Sequence, residues 1–157
     1  MRKPILIQRV IIVLAMMACA TPSGGETAPC RTVARGALSG ITRARQEVIK
    51  DKTGWEKTWA QHSRNEGARG KIPEIDFTKE MVVLVTMGQK NTGGYAIDIV
   101  QVEAADKRLK ISVSRKSPPR GAMVTQALTA PFHFVAVPKS DLRPEFVEAK
   151  SPPKDTP

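Results

Sequence analysis

Aromatic side chains are scarce in this chain: two tryptophans, one tyrosine and four phenylalanines among 157 residues. Recognition of nucleic acid uses clustered cations interleaved with aromatics. Here the cations are scattered, from Arg31, Arg35, Arg43 and Arg45 to Lys107, Arg108, Lys110, Arg115, Lys116 and Arg120. A net charge of +10 therefore reads as a solvated basic surface, suited to anionic lipid or cell wall, with no nucleic-acid partner. Cysteine and histidine are as rare, two of each. Cys19, Cys30, His62 and His133 have no paired spacing, so no metal site, no cofactor and no disulfide framework is expected.

Catalytic patterns are missing too. No serine occupies a G-x-S-x-G elbow. The stretch "GQKNTGG" (Gly88–Gly94) has the glycines and lysine of a phosphate loop in the wrong order, with a strand-like segment after it instead of a helix. The acids of "PEIDFTKE", Glu74, Asp76 and Glu80, lack the stacking aromatics of a sugar site, and Asp76 is placed either to cap a turn or to bond the loop opposite. His133 alternates with Phe132 and Phe134 in a strand, so it points away from them and reads as structural or exposed. The chain is expected not to be an enzyme.

The first residues carry Arg2, Lys3 and Arg9, then an apolar run from Val10 to Ala18. The run falls short of the roughly 20 residues a spanning helix needs. Basic, apolar and small residues in that order mark a secretory signal. Two cut sites fit. Lipoprotein processing leaves Cys19 as the lipidated first residue, although Met16 stands where leucine is usual; ordinary cleavage follows Ala18-Cys19-Ala20. The polar "TPSGGETAP" favours lipidation, as a flexible tether. Ala20 is not the aspartate that retains lipoproteins at the inner membrane, so an exported, outer-membrane or cell-envelope location is expected, with a periplasmic or secreted one as the alternative. A lipidated Cys19 leaves Cys30 alone; a free one could bridge to Cys30 but would close only a tether loop. Without residues 1–20, which hold three cations and no acid, the charge is still +7.

The expected organisation is a signal segment over 1–19, a tether over 20–30, one domain over 31–148 and a Pro- and Lys-rich disordered tail over 149–157. A domain of this size supports a core without disulfides. One helix is predicted, in "DKTGWEKTWAQHS", with Asp51 or Thr53 as cap and Trp55 and Trp59 on one face, fading near Arg64. Strands are predicted at Met81–Met87 (continuously apolar, hence covered on both faces), Tyr95–Val102, Leu109–Arg115, Met123–Leu128 and Phe132–Val137. Weaker ones are placed at Thr32–Leu38 and Gln46–Lys50. In the second strand Tyr95, Ile97 and Ile99 share the inner face, with Asp98 opposite. Short links favour antiparallel pairing. The fold class is α+β and β-rich, a mainly antiparallel sandwich- or barrel-like sheet with one packed helix.

Between the first two of these strands lie the seven residues Gly88–Gly94, longer than a minimal hairpin needs. Glycines and asparagine supply the positive φ of a turn. The surplus length singles out Asn91, Thr92, Gly93, Gly94 and Tyr95 as a contact surface, together with the "PPRG" turn at Pro119, Arg120 and Gly121.

"SGI", the helix with two tryptophans, "IDF…MVVLVTMG…NTGGYAIDI", "PPRG" and "TQALTAPFHFVAVPK" occur in an order that resembles the C-terminal domain of the protease complex subunit PrcB family, over Ser39 to Lys139. The resemblance implies an exported, often lipid-anchored protein that accompanies and supports a secreted or surface protease. It implies no peptidase activity of its own. A weaker likeness concerns loops alone. "NTGGY" (Asn91–Tyr95), "PPRGAM" (Pro118–Met123) and "TAPF" (Thr129–Phe132) follow the order of the three inhibitory loops of chagasin-type cysteine-protease inhibitors, though the first lacks its proline and the second its glycine pair. A non-enzymatic, envelope-associated binding or assembly module leads. A chagasin-like inhibitor using loops 91–95, 118–123 and 129–132 is second, and an uncharacterised enzyme third.

Overall fold

The computed structural model describes residues 25–64 and 70–149. The signal segment, Cys19, most of the tether and residues 150–157 lie outside the described residues. No helix among the described residues is long and apolar enough to cross a membrane.

Among the described residues eight strands and one helix follow in the order β1 (Glu26–Thr27), β2 (Arg31–Gly36), β3 (Ala44–Ile49), α1 (Lys52–His62), β4 (Glu80–Met87), β5 (Ala96–Ala105), β6 (Arg108–Lys116), β7 (Phe132–Pro138) and β8 (Arg143–Glu148). They form two four-stranded sheets, β1-β5-β6-β8 and β2-β7-β4-β3. Every pairing is antiparallel except β6 with β8. The sheets stack as a sandwich and do not close into a barrel. The β-rich, mainly antiparallel expectation holds.

The apolar run of β4 explains the layering. Met81, Val83 and Val85 face β5 and β6, while Val82 and Leu84 face the other way, toward α1. β7 divides likewise, with Val135 and Val137 between the sheets and Phe132 and Phe134 toward the helix. Alternate residues of one strand point to opposite faces, so a strand covered on both sides must be apolar throughout. β5 and β6 are covered on one face by their partner sheet, and their residues alternate: Ile97, Ile99, Leu109, Ile111 and Val113 enter the inter-sheet core. The β5–β6 link turns at Asp106 and Lys107, both at positive φ (50° and 59°), the twist a two-residue hairpin requires.

The helix is held by its ends and one side chain more than by its own composition. Asp51 Oδ1 accepts from Gly54 N–H at 2.8 Å, capping the first turn. Trp55, 2% exposed, packs edge-on against Phe134 and donates from Nε1 to the Pro73 carbonyl at 3.1 Å. At the far end Gly40 N–H donates to the His62 carbonyl at 2.8 Å, and a Cβ on Gly40 would lie 2.2 Å from the Gln61 carbonyl. Only glycine lets that strand-to-strand link approach the helix end so closely.

Three expectations change. Met123–Leu128 is not a strand. Its apolar composition is real, but β2 and β4 already occupy both sides of β7, so it cannot pair with the strand that follows it. Met123 and Leu128 are consequently exposed at 103% and 60%. The tether stretch contains β1, where Glu26 and Thr27 pair with Ala104 and Glu103. And β8 ends the fold as an unforeseen parallel strand, with Pro144 tolerated because β8 is an edge.

Trp55→Ala should cost about 3–5 kcal/mol, the range for a buried aromatic truncated in a core. Denaturant unfolding checks it. A loss below about 1 kcal/mol would mean that the helix is not anchored there.

Candidate binding loops and a buried histidine cluster

The three segments singled out in the sequence meet at one end of the sandwich. Lys90 and Thr129 exchange backbone hydrogen bonds of 2.7 and 2.9 Å, and Thr129 Oγ1 donates to the Thr92 carbonyl at 2.8 Å. Gly93 N–H donates to the Thr125 carbonyl at 2.9 Å. Gly94, at φ 84°, sits against the turn that begins with proline: a Cβ there would be 3.0 Å from Pro118 Cβ. The turn itself closes from Ala122 N–H to the Pro119 carbonyl at 3.1 Å, through Arg120 and Gly121. Loops of seven and more residues are thus tied into one another, which fixes what they present.

Not every candidate is presented. Asn91, Gly94, Pro119, Arg120 and Gly121 are exposed; Thr92 and Tyr95 are half-buried, and Gly93 is buried. Tyr95 falls just before β5 and not on its inner face; the Lys90 ammonium lies over its ring, 5.5 Å from the centroid. That is close enough for a cation–π contact. In the third loop, Ala130, Pro131 and Phe132 are buried, and Phe132 packs on His62 and Phe134. Exposed Met123, at the close of the second loop, and Leu128 belong to the same end; Leu128 stood outside the expected loops, because a strand over Met123–Leu128 turns alternate residues inward.

Both histidines are structural. His62 is 2% exposed, packed by Phe132 and Phe134, with Nδ1 2.9 Å from Ser39 Oγ. Burial lowers its pKa to about 4, because the charged ring would lose its water. His133, 5% exposed, joins the two sheets: its Nδ1 accepts the Ile99 N–H of β5 at 3.0 Å, and its Nε2 lies 3.1 Å from Thr32 Oγ1 on β2. Asp98, expected on the face opposite Ile97 and Ile99, is only 8% exposed and meets residues of the other sheet. It lies 3.5 Å from His133 Nδ1 and takes the Arg35 guanidinium on both oxygens, at 2.7 and 3.1 Å. The contact at Oδ1 is ionic and not a directed hydrogen bond.

Thr32, His133 and Asp98 have the composition of a nucleophile, base and carboxylate, but the proton is on the wrong nitrogen. Because Nδ1 accepts a backbone N–H, the neutral ring carries its hydrogen on Nε2 and donates it toward Thr32. It is not placed to take a proton from that hydroxyl. The His133 pKa is lowered, mainly by burial; Asp98 opposes the shift and Arg35 adds to it. Cys30, exposed beside β2, has its thiol pKa raised by partial burial, which disfavours the thiolate. Asp76 caps its turn as expected, accepting from Thr78 N–H at 3.0 Å and from the Thr78 hydroxyl. No group of three or more metal-binding side chains occurs among the described residues.

Residues 81–138 match the family model described as PrcB C-terminal. The match bears out the resemblance over β4 to β7 and the loops between them, a narrower span than Ser39 to Lys139. No curated protein and no solved structure matches the chain.

Folded His62 has a lowered pKa, so the unfolded chain binds the extra proton first as pH falls. Stability from this site is therefore complete above about pH 6.5 and is lost progressively toward pH 4. The full shift corresponds to roughly 3 kcal/mol. His62→Phe should flatten that part of the stability profile, measured by urea unfolding at a series of pH values. An unchanged profile would assign the acid sensitivity elsewhere.

Proposed function

From the PrcB C-terminal match over residues 81–138, we propose that this chain is a non-enzymatic binding module of the kind that accompanies a protease, with the joined loops as its contact surface. The matched segment contains both loops, Asn91–Tyr95 and Pro118–Met123; the first bonds to Thr125 and Thr129, in the connection that carries the second, and Gly94 packs on Pro118. This coupling carries the reading: a surface held rigid before contact loses little conformational entropy on binding. The inverted histidine tautomer and the protonated cysteine favour a module without catalysis. Its setting is the cell envelope, with the protein exported and held by lipid on Cys19.

The chagasin-like alternative gains from the convergence of three loops at one end. It is weakened by Phe132, whose ring belongs to the core instead of a wedge. Inhibition assays against papain-like proteases decide it; no inhibition at micromolar protein would remove it.

Asn91→Arg and Arg120→Glu alter exposed side chains without disturbing the loop hydrogen bonds. Each should abolish crosslinking to the specific partner in envelope extracts while leaving the melting temperature within about 2 °C. An unchanged set of crosslinks would move the contact surface away from these loops. Labelling with palmitate should mark the wild type and not Cys19→Ala; equal labelling of both would refute the anchor.

A further inference from the structure

Acidic residues are missing from the connections at one end of the sandwich. The three connections at the loop end, residues 37–43, 88–95 and 117–131, contain Arg43, Lys90 and Arg120 and no aspartate or glutamate. Lys116 closes β6 at the same end. Three clefts open there, of about 340, 280 and 240 Å³. Their charged linings are Arg43, Arg45, Arg64, Lys90 and Arg115, without a carboxylate. Arg45 and Arg115 pair with Glu47 and Glu148. Arg43, Lys90, Lys116 and Arg120 have no carboxylate within 4 Å among the described residues. Among these cations stand Met123, Leu128 and Leu38, exposed at 103%, 60% and 40%.

The other end carries both signs: Lys50, Lys52, Lys79, Lys107, Lys139 and Arg143 stand there beside acids. Glu26 begins β1, Asp106 turns β5 into β6, Asp141 links β7 to β8, Asp51 caps α1, and Asp76 and Glu80 stand at the entry to β4. At about 3.3 Å per residue, the length of β5 separates the two ends by about 30 Å. The described chain starts at Gly25 beside Ala105, at this mixed-charge end.

We propose that the loop end docks an acidic protein surface that also offers apolar contact to Met123 and Leu128. This rests on the reading that these loops bind a protein and specifies that protein's chemistry. Uncompensated like charges on one face raise the encounter rate with a complementary partner and reject other cationic surfaces. The exposed apolar residues supply the contact that charge alone lacks. The N-terminal segment joins at the opposite end, so the loop end lies about 30 Å from the point where any bilayer anchor on that segment attaches. A protein partner therefore fits better than that bilayer.

The test compares K90E/K116E/R120E with K107E/K139E/R143E, which reverses as many charges at the opposite end. The probes are a fluorescein-labelled peptide of glutamates and leucines, and phosphatidylcholine vesicles containing about a third phosphatidylglycerol. Thermal melts confirm that both variants are folded. Loop-end reversal should weaken peptide binding at least about tenfold and distal reversal less than about threefold, with affinity falling as salt rises from about 50 to about 300 mM. Equal losses in both variants, or no peptide binding by the wild type, would overturn the proposal. So would loop-end-dependent binding to vesicles without binding to peptide. The broader reading has its own readout. If Asn91→Arg loses the crosslinked partner while the loop-end reversal keeps it, the binding surface stands and its acidic specificity falls.

Discussion

β4 and β7 are adjacent, pair through seven registered positions from Glu80–Pro138 to Thr86–Phe132, and belong to two cores at once. One face of each meets the opposing sheet and the other meets the helix. Every other layer is positioned by these two strands. The helix takes its place from Phe134 and Leu84; β5 and β6 take theirs from Val83, Val85, Val135 and Val137. A polar residue on either strand therefore needs a partner within the fold. His133 has one on β5 and one on β2, and Thr86 donates to the Arg43 carbonyl at 3.0 Å. Burial of hydrogen-bonding groups is tolerated where each finds such a partner.

The loop end inherits its geometry from the same pair. β4 ends and β7 begins there, so Met87 N–H reaches the Pro131 carbonyl at 3.0 Å, and the Lys90–Thr129 exchange extends the β4–β7 ladder past the sheet. What the PrcB C-terminal match covers, residues 81–138, is thus the central strand pair, the β5–β6 hairpin packed on it and the loops that leave from it. The helix, β1 to β3 and β8 lie outside that span and complete the cores around it.

Much of this was legible in the sequence, for identifiable reasons. "MVVLVTM" is apolar without alternation, which only a doubly covered strand requires, and the alternation of "LKISVSR" gave the correct inner face of β6. The tryptophans four residues apart found the helix, and Asp51 its cap. Met123–Leu128 failed because composition reports willingness to form a strand and not whether a neighbour is free. β8 was missed because "RPEFVE" has few apolar residues and pairs with β6 across a crossover. Arg35, Asp98 and His133 are far apart in sequence, so neither spacing nor composition could bring them together. The acid-free character of the loop end was visible as composition in three separate segments. Its meaning depended on knowing that they share one end of the sandwich.

The two edges of one sheet are the two ends of the described chain: β1 borders β5, and β8 borders β6. Among the described residues nothing else pairs with β6 on that side, and β8 is the last of the described strands to be synthesised. Until Arg143–Glu148 emerges, the chain carries an open hydrogen-bonding edge on a strand whose other face is already apolar. Such an edge recruits other copies. Contacts this distant in sequence also form slowly. Its parallel pairing makes β8 a late latch, and a chain cut before residue 143 is a candidate for aggregation even though both cores lie largely upstream of the cut.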